Sequence, residues 1–186
     1  MPLEQHREAF SLRGALYDWM DSIVFALIVV MIFNIGFRIV NVSGDSMLPT
    51  LHTGDRLIIS RCIGQPKAGD IIVSVQDNAR NEPVIKRIIA TEGQAVDIDY
   101  EKGIVYVDGQ ASDDSYTLQP GIIYPSFEAP IEFPVVVPED SVFVLGDNRN
   151  NSLDSRSYSI GMIEERYILG KAVLRIFPFD QIGVLT

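Results

Sequence analysis

Residues 22–33, Ser-Ile-Val-Phe-Ala-Leu-Ile-Val-Val-Met-Ile-Phe, form an apolar block with no charge, and this block constrains the chain more than any other feature. Extended from Tyr17 to Val40, the segment is about 24 residues. As a helix that is about 36 Å, enough to cross a hydrocarbon core about 30 Å thick with some tilt. Tyr17 and Trp19 stand where an interfacial aromatic belt would lie, and Arg38 is close enough to the other end to snorkel. One amide, Asn34, is tolerable near a helix end. A cleavable leader is the rival reading, but Glu4 and Glu8 offset Arg7 and Arg13, and no small-x-small site follows the block. A buried core helix is seldom apolar over so continuous a stretch. The expected organisation is therefore a tail over 1–16, a transmembrane helix over 17–40 and a globular domain over 41–186. Charge does not orient the span, because Arg7 and Arg13 on one side face Arg38, Arg56 and Arg61 on the other.

Beyond Val40 the pattern changes to short β-branched runs separated by turn residues. It predicts strands at 56–60, 70–75, 84–91, 95–100, 104–107, 134–137, 142–145 and 172–176. Lys102-Gly103 and Asp108-Gly109 supply tight turns. Strands this short and this evenly spaced imply a mostly antiparallel sandwich or distorted barrel. Residues 110–133, with Pro120, Pro125 and Pro130, read as a long excursion, and a short helical turn is expected around 163–167. The fold class is mainly β, behind one N-terminal helix.

The formal net charge of −10 argues against a nucleic-acid partner, which would need a basic face. The single cysteine, Cys62, cannot form an internal disulfide and is expected to be a small buried hydrophobe. No ligand spacing suggests a metal, and no cofactor is implied.

Three clusters carry candidate chemistry. In Ser43-Gly44-Asp45-Ser46-Met47-Leu48-Pro49-Thr50-Leu51, Ser46 occupies a turn that can present its hydroxyl and leave its N–H free for an oxyanion. Alone, such a turn is usually only a turn. In Glu82-Pro83-Val84-Ile85-Lys86-Arg87-Ile88-Ile89, strand alternation sends Lys86 and Arg87 to opposite faces. If Lys86 points inward, desolvation lowers its pKa and gives a neutral amine that can act as a base. By itself, however, the segment favours a snorkelling Lys86 and an Arg87 paired with an acid. In Leu145-Gly146-Asp147-Asn148-Arg149-Asn150-Asn151-Ser152-Leu153-Asp154-Ser155-Arg156, Asp154 and Arg156 share a face if extended and can pair, although a solvated loop is the default reading of so polar a run. His6 lies before the apolar helix and His52 sits in a turn six residues past Ser46, so a serine hydrolase built on this chain needs another base. The Ser-Lys pairing is an established variant.

Taken in this order, the three clusters resemble the boxes of bacterial type I signal peptidases, over roughly residues 17 to 178. The resemblance implies a membrane-bound serine endopeptidase with Ser46 as nucleophile and Lys86 as general base. Ser152 would orient the amine, while Asp147, Asp154 and Arg156 brace the loop. Val42, Met47 and Ile85 would line pockets for small residues at −1 and −3 of the substrate. Some members carry a serine oxyanion donor where this chain has Gly44, so the Ser46 N–H would need a further donor. The implied partners are exported preproteins and the lipid bilayer. The implied location is the cytoplasmic membrane, with the tail inside and the domain outside. With the helix ending so close to Ser46, an exposed apolar rim near Met47 and Leu48 is expected to dip into the lipid.

Three alternatives stand against this reading. A self-cleaving repressor of the LexA type shares the Ser-Lys logic but would carry a helical DNA-binding domain in place of the apolar helix. A protease dependent on His52 would be separated by substituting that residue. A tethered β-domain that binds peptides without cutting them explains the anchor and the sheet, but not Lys86 or the Ser152 loop.

Overall fold

The computed structural model describes residues 12–62, 64–75 and 83–185. Most of the expected tail, including His6, therefore lies outside the described residues, as does Glu82. The chain divides into two units, Met1–Gly36 and Phe37–Thr186.

The first unit contains α1, Leu12–Gly36. Within it Trp19–Gly36 is long and apolar enough to cross a membrane, and its large side chains are exposed. The Asn34 amide donates to the Val30 carbonyl at 2.8 Å, so its polarity is partly satisfied within the helix. The helix stops at Gly36, not at Val40 as the apolar count suggested. Residues Phe37–Asn41 form strand β1 instead, paired residue for residue with β2, Arg56–Ser60. A β-branched, aromatic run after a glycine is apolar enough to lengthen a hydropathy window, yet it gains ladder hydrogen bonds as a strand.

The second unit is built on two antiparallel sheets. The larger has eight strands, in the order β1-β2-β11-β3-β4-β9-β10, with β12 on β11. Here β3 is Ile71–Ser74, β4 Val84–Thr91, β9 Ser141–Leu145, β10 Ile163–Glu164, β11 Ile168–Phe177 and β12 Gly183–Val184. The smaller sheet runs β7-β6-β5-β8, with β5 Ala95–Asp99, β6 Ile104–Val107, β7 Gln110–Ala111 and β8 Val135–Val136. Strands β2, β4 and β6 coincide with their predicted spans, whereas β11 is ten residues long rather than the expected five. Strands β1, β7, β10 and β12 were not foreseen, being short or hidden behind the helix. The helical turn expected at 163–167 divides into β10 and a 3₁₀ turn at Glu165–Tyr167.

The core follows from strand alternation. Ile89, Val96, Ile98, Val105, Phe143 and Leu145 are buried together between the two sheets. A second cluster gathers Val42, Met47 and Leu51 against Leu57 and Ile59 of β2, Ile71 and Val73 of β3, and Ala172 of β11. This cluster seats the segment that carries Ser46. Burying a Leu, Ile or Met side chain contributes about 1.5–3 kcal/mol, so the segment is a packed part of the core rather than a loose loop. Cys62 is exposed, contrary to its apolar surroundings in sequence, because it follows the end of β2 instead of continuing it.

Candidate active site

Two adjacent strands and one turn converge on Ser46. Strand β4 carries Lys86 and Arg87 between β3 and β9, with Ile72 opposite Lys86 and Leu145 opposite Arg87. That register brings Gly146-Asp147-Asn148, which follow Leu145, alongside the two cations. The 42–55 turn is tied down at both ends. The Val42 N–H donates to the Asp55 carbonyl at 2.9 Å and the Val42 carbonyl accepts the Gly54 N–H at 3.0 Å, while Arg175 of β11 donates to the Thr50 carbonyl at 3.1 Å and to Asp55 at 3.2 Å.

Lys86 is buried, and its Nζ makes two hydrogen bonds, to Ser46 Oγ at 2.8 Å and to the Ile85 carbonyl at 3.0 Å. Burial pulls its pKa down to about 8, against the opposing pull of the Asp154 and Asp147 carboxylates; the nearby Arg156 adds to the lowering. An amine with that pKa is neutral in a substantial fraction of molecules at mildly alkaline pH. Arg87, on the other face of β4, is also buried. It grips Asp147 in a fork, Nε to Oδ1 at 2.9 Å and Nη2 to Oδ2 at 2.8 Å, and packs over the Tyr116 ring at 4.1 Å. Thr50 donates to the same carboxylate.

Asp154 and Arg156 form the expected pair, both almost completely buried, with Arg156 Nε 2.8 Å from Asp154 Oδ1. Burial alone would raise the Asp154 pKa. The Arg156 charge and hydrogen bond, the Gly146 N–H and the nearby Ser152 hydroxyl outweigh it and hold the carboxyl below its ordinary value. Arg156 also donates to the carbonyls of Tyr124 and Arg149, so it stitches the 110–133 excursion to the polar loop.

The other expected residues divide. Ile85 lines a cleft of about 790 Å³ together with Val40, Asn41, Ser46, Val84 and Lys86. Val42 and Met47 do not line it; both are buried in the cluster beneath, and Ile85 packs on that cluster. The apolar rim expected at Met47 is therefore absent at that residue, which is 1% exposed because its side chain is a core element of the turn. Ser152 is buried beside the site, but its hydroxyl makes no hydrogen bond of normal geometry, so the expected bond to the lysine amine is not formed. Gly44 has φ +89°, a conformation that disfavours other residues, so it offers backbone only. His52 is exposed, as expected of a turn residue. Among the described residues no three His, Cys, Asp or Glu side chains converge as a metal would require.

Sequence reasoning overlooked three contributors. Asn148 donates its backbone N–H to the Ser46 carbonyl and its side-chain amide to the Asp45 carbonyl, each at 3.0 Å. Gly146 lies so close to the turn that a Cβ there would sit 2.5 Å from the Ser46 carbonyl oxygen. Tyr116 comes from the excursion, where nothing in the sequence marks it. The first two stand inside the polar cluster, where a glycine and an amide at a strand end were the available signal.

A buried lysine bonded to a serine hydroxyl, on a β scaffold behind an apolar helix, agrees with what similarity to known proteins provides. The family profile described as signal peptidase, peptidase S26, matches residues 16–177. The chain belongs to that family. A probable signal peptidase I-1 of Synechocystis sp. is 41% identical over 154 residues, covering 77% of this chain and 73% of the relative. Signal peptidase I of Bacillus amyloliquefaciens is 33% identical over 197 residues, covering 97% and 98%. A crystal structure of a signal peptidase I from Enterococcus faecalis aligns with TM-score 0.47 and 26% identity, over 60% of this chain and 99% of that one. The chain is accordingly a serine peptidase, a hydrolase of peptide bonds.

Proposed function

We propose that this chain is a membrane-anchored signal peptidase I that removes N-terminal signal peptides from exported preproteins by a Ser46–Lys86 dyad. The observation that carries the reading is the 2.8 Å hydrogen bond between Lys86 Nζ and Ser46 Oγ, with the amine buried and its pKa lowered. The neutral Lys86 amine takes the Ser46 proton as Oγ bonds to the scissile carbonyl carbon, and the carbonyl π pair moves to oxygen. Collapse of that oxyanion breaks the C–N bond, and the departing amine takes the proton from Lys86. The mature chain leaves, with the signal peptide held as an ester on Ser46. A water molecule then gives its proton to Lys86, attacks the ester carbon and releases Ser46 with its proton restored.

The Ser46 N–H, engaged by no acceptor among the described residues, is available to the oxyanion. Backbone near Gly44 is the candidate for a further donor. Asp147, Ser152, Asp154 and Arg156 brace the loop that supports the dyad. The cleft beside Ile85 is the candidate site for an extended chain with small residues at −1 and −3, and Val42 and Met47 belong to the buried cluster on which Ile85 packs. The residues before 17 lie on the cytoplasmic side, the apolar part of α1 up to Gly36 spans the cytoplasmic membrane and anchors the protein in the bilayer, and the β domain works on the outer side.

The test is cleavage of a labelled preprotein by the purified, detergent-solubilised chain beside Ser46→Ala and Lys86→Ala. Both variants are expected to be folded and inactive. Retained cleavage by Lys86→Ala moves the base elsewhere and ends the dyad reading.

A further inference from the structure

Ser46 lies between two peptide groups, and a single residue from another element holds both. Asn148, buried three residues beyond β9, donates its backbone N–H to the Ser46 carbonyl and its Nδ2 to the Asp45 carbonyl, each at 3.0 Å. The Asp45–Ser46 peptide is planar and trans, so its C=O and N–H lie in one plane and point in opposite directions. Fixing the carbonyl therefore fixes the N–H. The Leu48 N–H also reaches the Asp45 oxygen, at 3.3 Å, but it belongs to the same turn and cannot tie that turn to the rest of the domain. A donor on the carbonyl also polarises the peptide and strengthens its N–H.

We propose that Asn148 is a positioning residue for transition-state stabilisation, acting through the Asp45–Ser46 peptide to aim the Ser46 N–H at the developing oxyanion. The inference rests on Ser46 being the nucleophile. Asn148 is itself held firmly. Its carbonyl accepts the Asn151 N–H at 3.0 Å, and its neighbour Asp147 is locked in the Arg87 fork. Its side-chain amide is then the adjustable part, and only a donor fits opposite a carbonyl. Lys86 is anchored apart from Asn148 by the Ile85 carbonyl of its own strand, so losing the Asn148 amide leaves the base in place.

The experiment uses the full chain in detergent, as wild type, Asn148→Ala, Asn148→Asp and Ser46→Ala. The readouts are kcat and KM on a peptide substrate, the pH dependence of kcat/KM, the unfolding temperature, and affinity for a peptide aldehyde and the matching peptide alcohol. The aldehyde carbon bonds to Ser46 Oγ, its π pair moves to oxygen and the hydroxyl proton passes to Lys86, so it samples the oxyanion. The alcohol cannot form this adduct.

Asn148→Ala is expected to lower kcat by about tenfold or more, since removing an oxyanion donor outright costs about 10²–10³-fold. Its KM stays within about twofold and the pH midpoint does not move, because ground-state binding and the base are untouched. Aldehyde affinity falls in step with kcat while alcohol affinity holds. Asn148→Asp, which sets a carboxylate oxygen against the Asp45 carbonyl, loses more. The proposal is overturned if Asn148→Ala keeps full kcat and aldehyde affinity. It is equally overturned if aldehyde and alcohol weaken together alongside a lower unfolding temperature, which is general loosening. Cleavage by Ser46→Ala would instead remove the nucleophile assignment, and this inference with it.

Discussion

Replacing Lys86 by methionine should end catalysis and at the same time stabilise the domain near neutral pH. Lys86 is 5% exposed, and its pKa falls from the ordinary 10.5 to about 8 on folding. At roughly 1–1.5 kcal/mol per pH unit, that difference corresponds to about 3 kcal/mol of lost stability when the amine is charged in both states. The sign follows from proton counts: between about pH 8 and 10.5 the unfolded chain holds a proton that the folded chain has released, so wild-type stability rises with pH across that window. The penalty is nearly complete at pH 7, about 2 kcal/mol at pH 9 and almost gone at pH 10.5. Methionine keeps the bulk and removes the charge, but forfeits the hydrogen bonds to Ser46 and Ile85, together worth about 1–2 kcal/mol. Lys86→Met should therefore be more stable than wild type by about 1–2 kcal/mol at pH 7, roughly equal at pH 9 and less stable by about 1 kcal/mol at pH 10.5. Urea unfolding of both full-length chains in detergent, followed by the sheet signal in circular dichroism at these three pH values, measures the difference. The other titrating groups largely cancel between the two chains. Wild-type kcat/KM should rise through the same midpoint, near pH 8, as the amine becomes neutral. Stability curves that run parallel from pH 7 to 10.5 would refute the desolvated-lysine argument.

Gly146→Ala would set a methyl 2.5 Å from the Ser46 carbonyl oxygen and 2.6 Å from Ser152 Cβ. It should cost about 1–3 kcal/mol of stability and, by displacing the Ser46 turn, about 10²-fold in kcat, both measurable on one preparation. Asp147→Asn takes the carboxylate charge away from buried Arg87 and should destabilise the domain by about 3–5 kcal/mol in urea unfolding. Because the Asp147 charge raises the Lys86 pKa, the same variant, where folded, should move the acidic limb of its pH–rate profile to lower pH. His52→Ala changes an exposed side chain and should leave kcat/KM within about twofold of wild type, consistent with an effect of about 0.5 kcal/mol or less.

Local chemistry was legible in the sequence where a segment's own pattern decides its state. The apolar run of α1 and the β-branched alternation of β2, β4 and β6 fall in this class, because each is stabilised by its own periodicity. Ser46 and Lys86 were nominated by the three clusters taken together through their resemblance to a known family, since the turn and the strand each read as ordinary when taken alone; the Asp154–Arg156 pair was legible as two opposed charges on one face. Hydropathy, however, cannot separate an apolar helix end from an apolar strand, so β1 was absorbed into the membrane segment until its pairing with β2 set the boundary at Gly36. Cys62, Met47 and Val42 were misjudged for a related reason: burial depends on what packs above a residue, which lies elsewhere in the chain.

The tertiary structure alone decided how the candidate catalytic groups meet. The β4–β9 register lays Gly146-Asp147-Asn148 against Lys86 and Arg87, across about 60 residues of chain. From that register come the burial that depresses the lysine, the fork on Asp147 and the Asn148 clamp on the Ser46 peptide. A hydroxyl and an amine can be nominated from sequence because their chemistry is intrinsic. Their 2.8 Å separation, and the desolvation that lowers the amine's pKa, are properties of neighbours that only folding supplies.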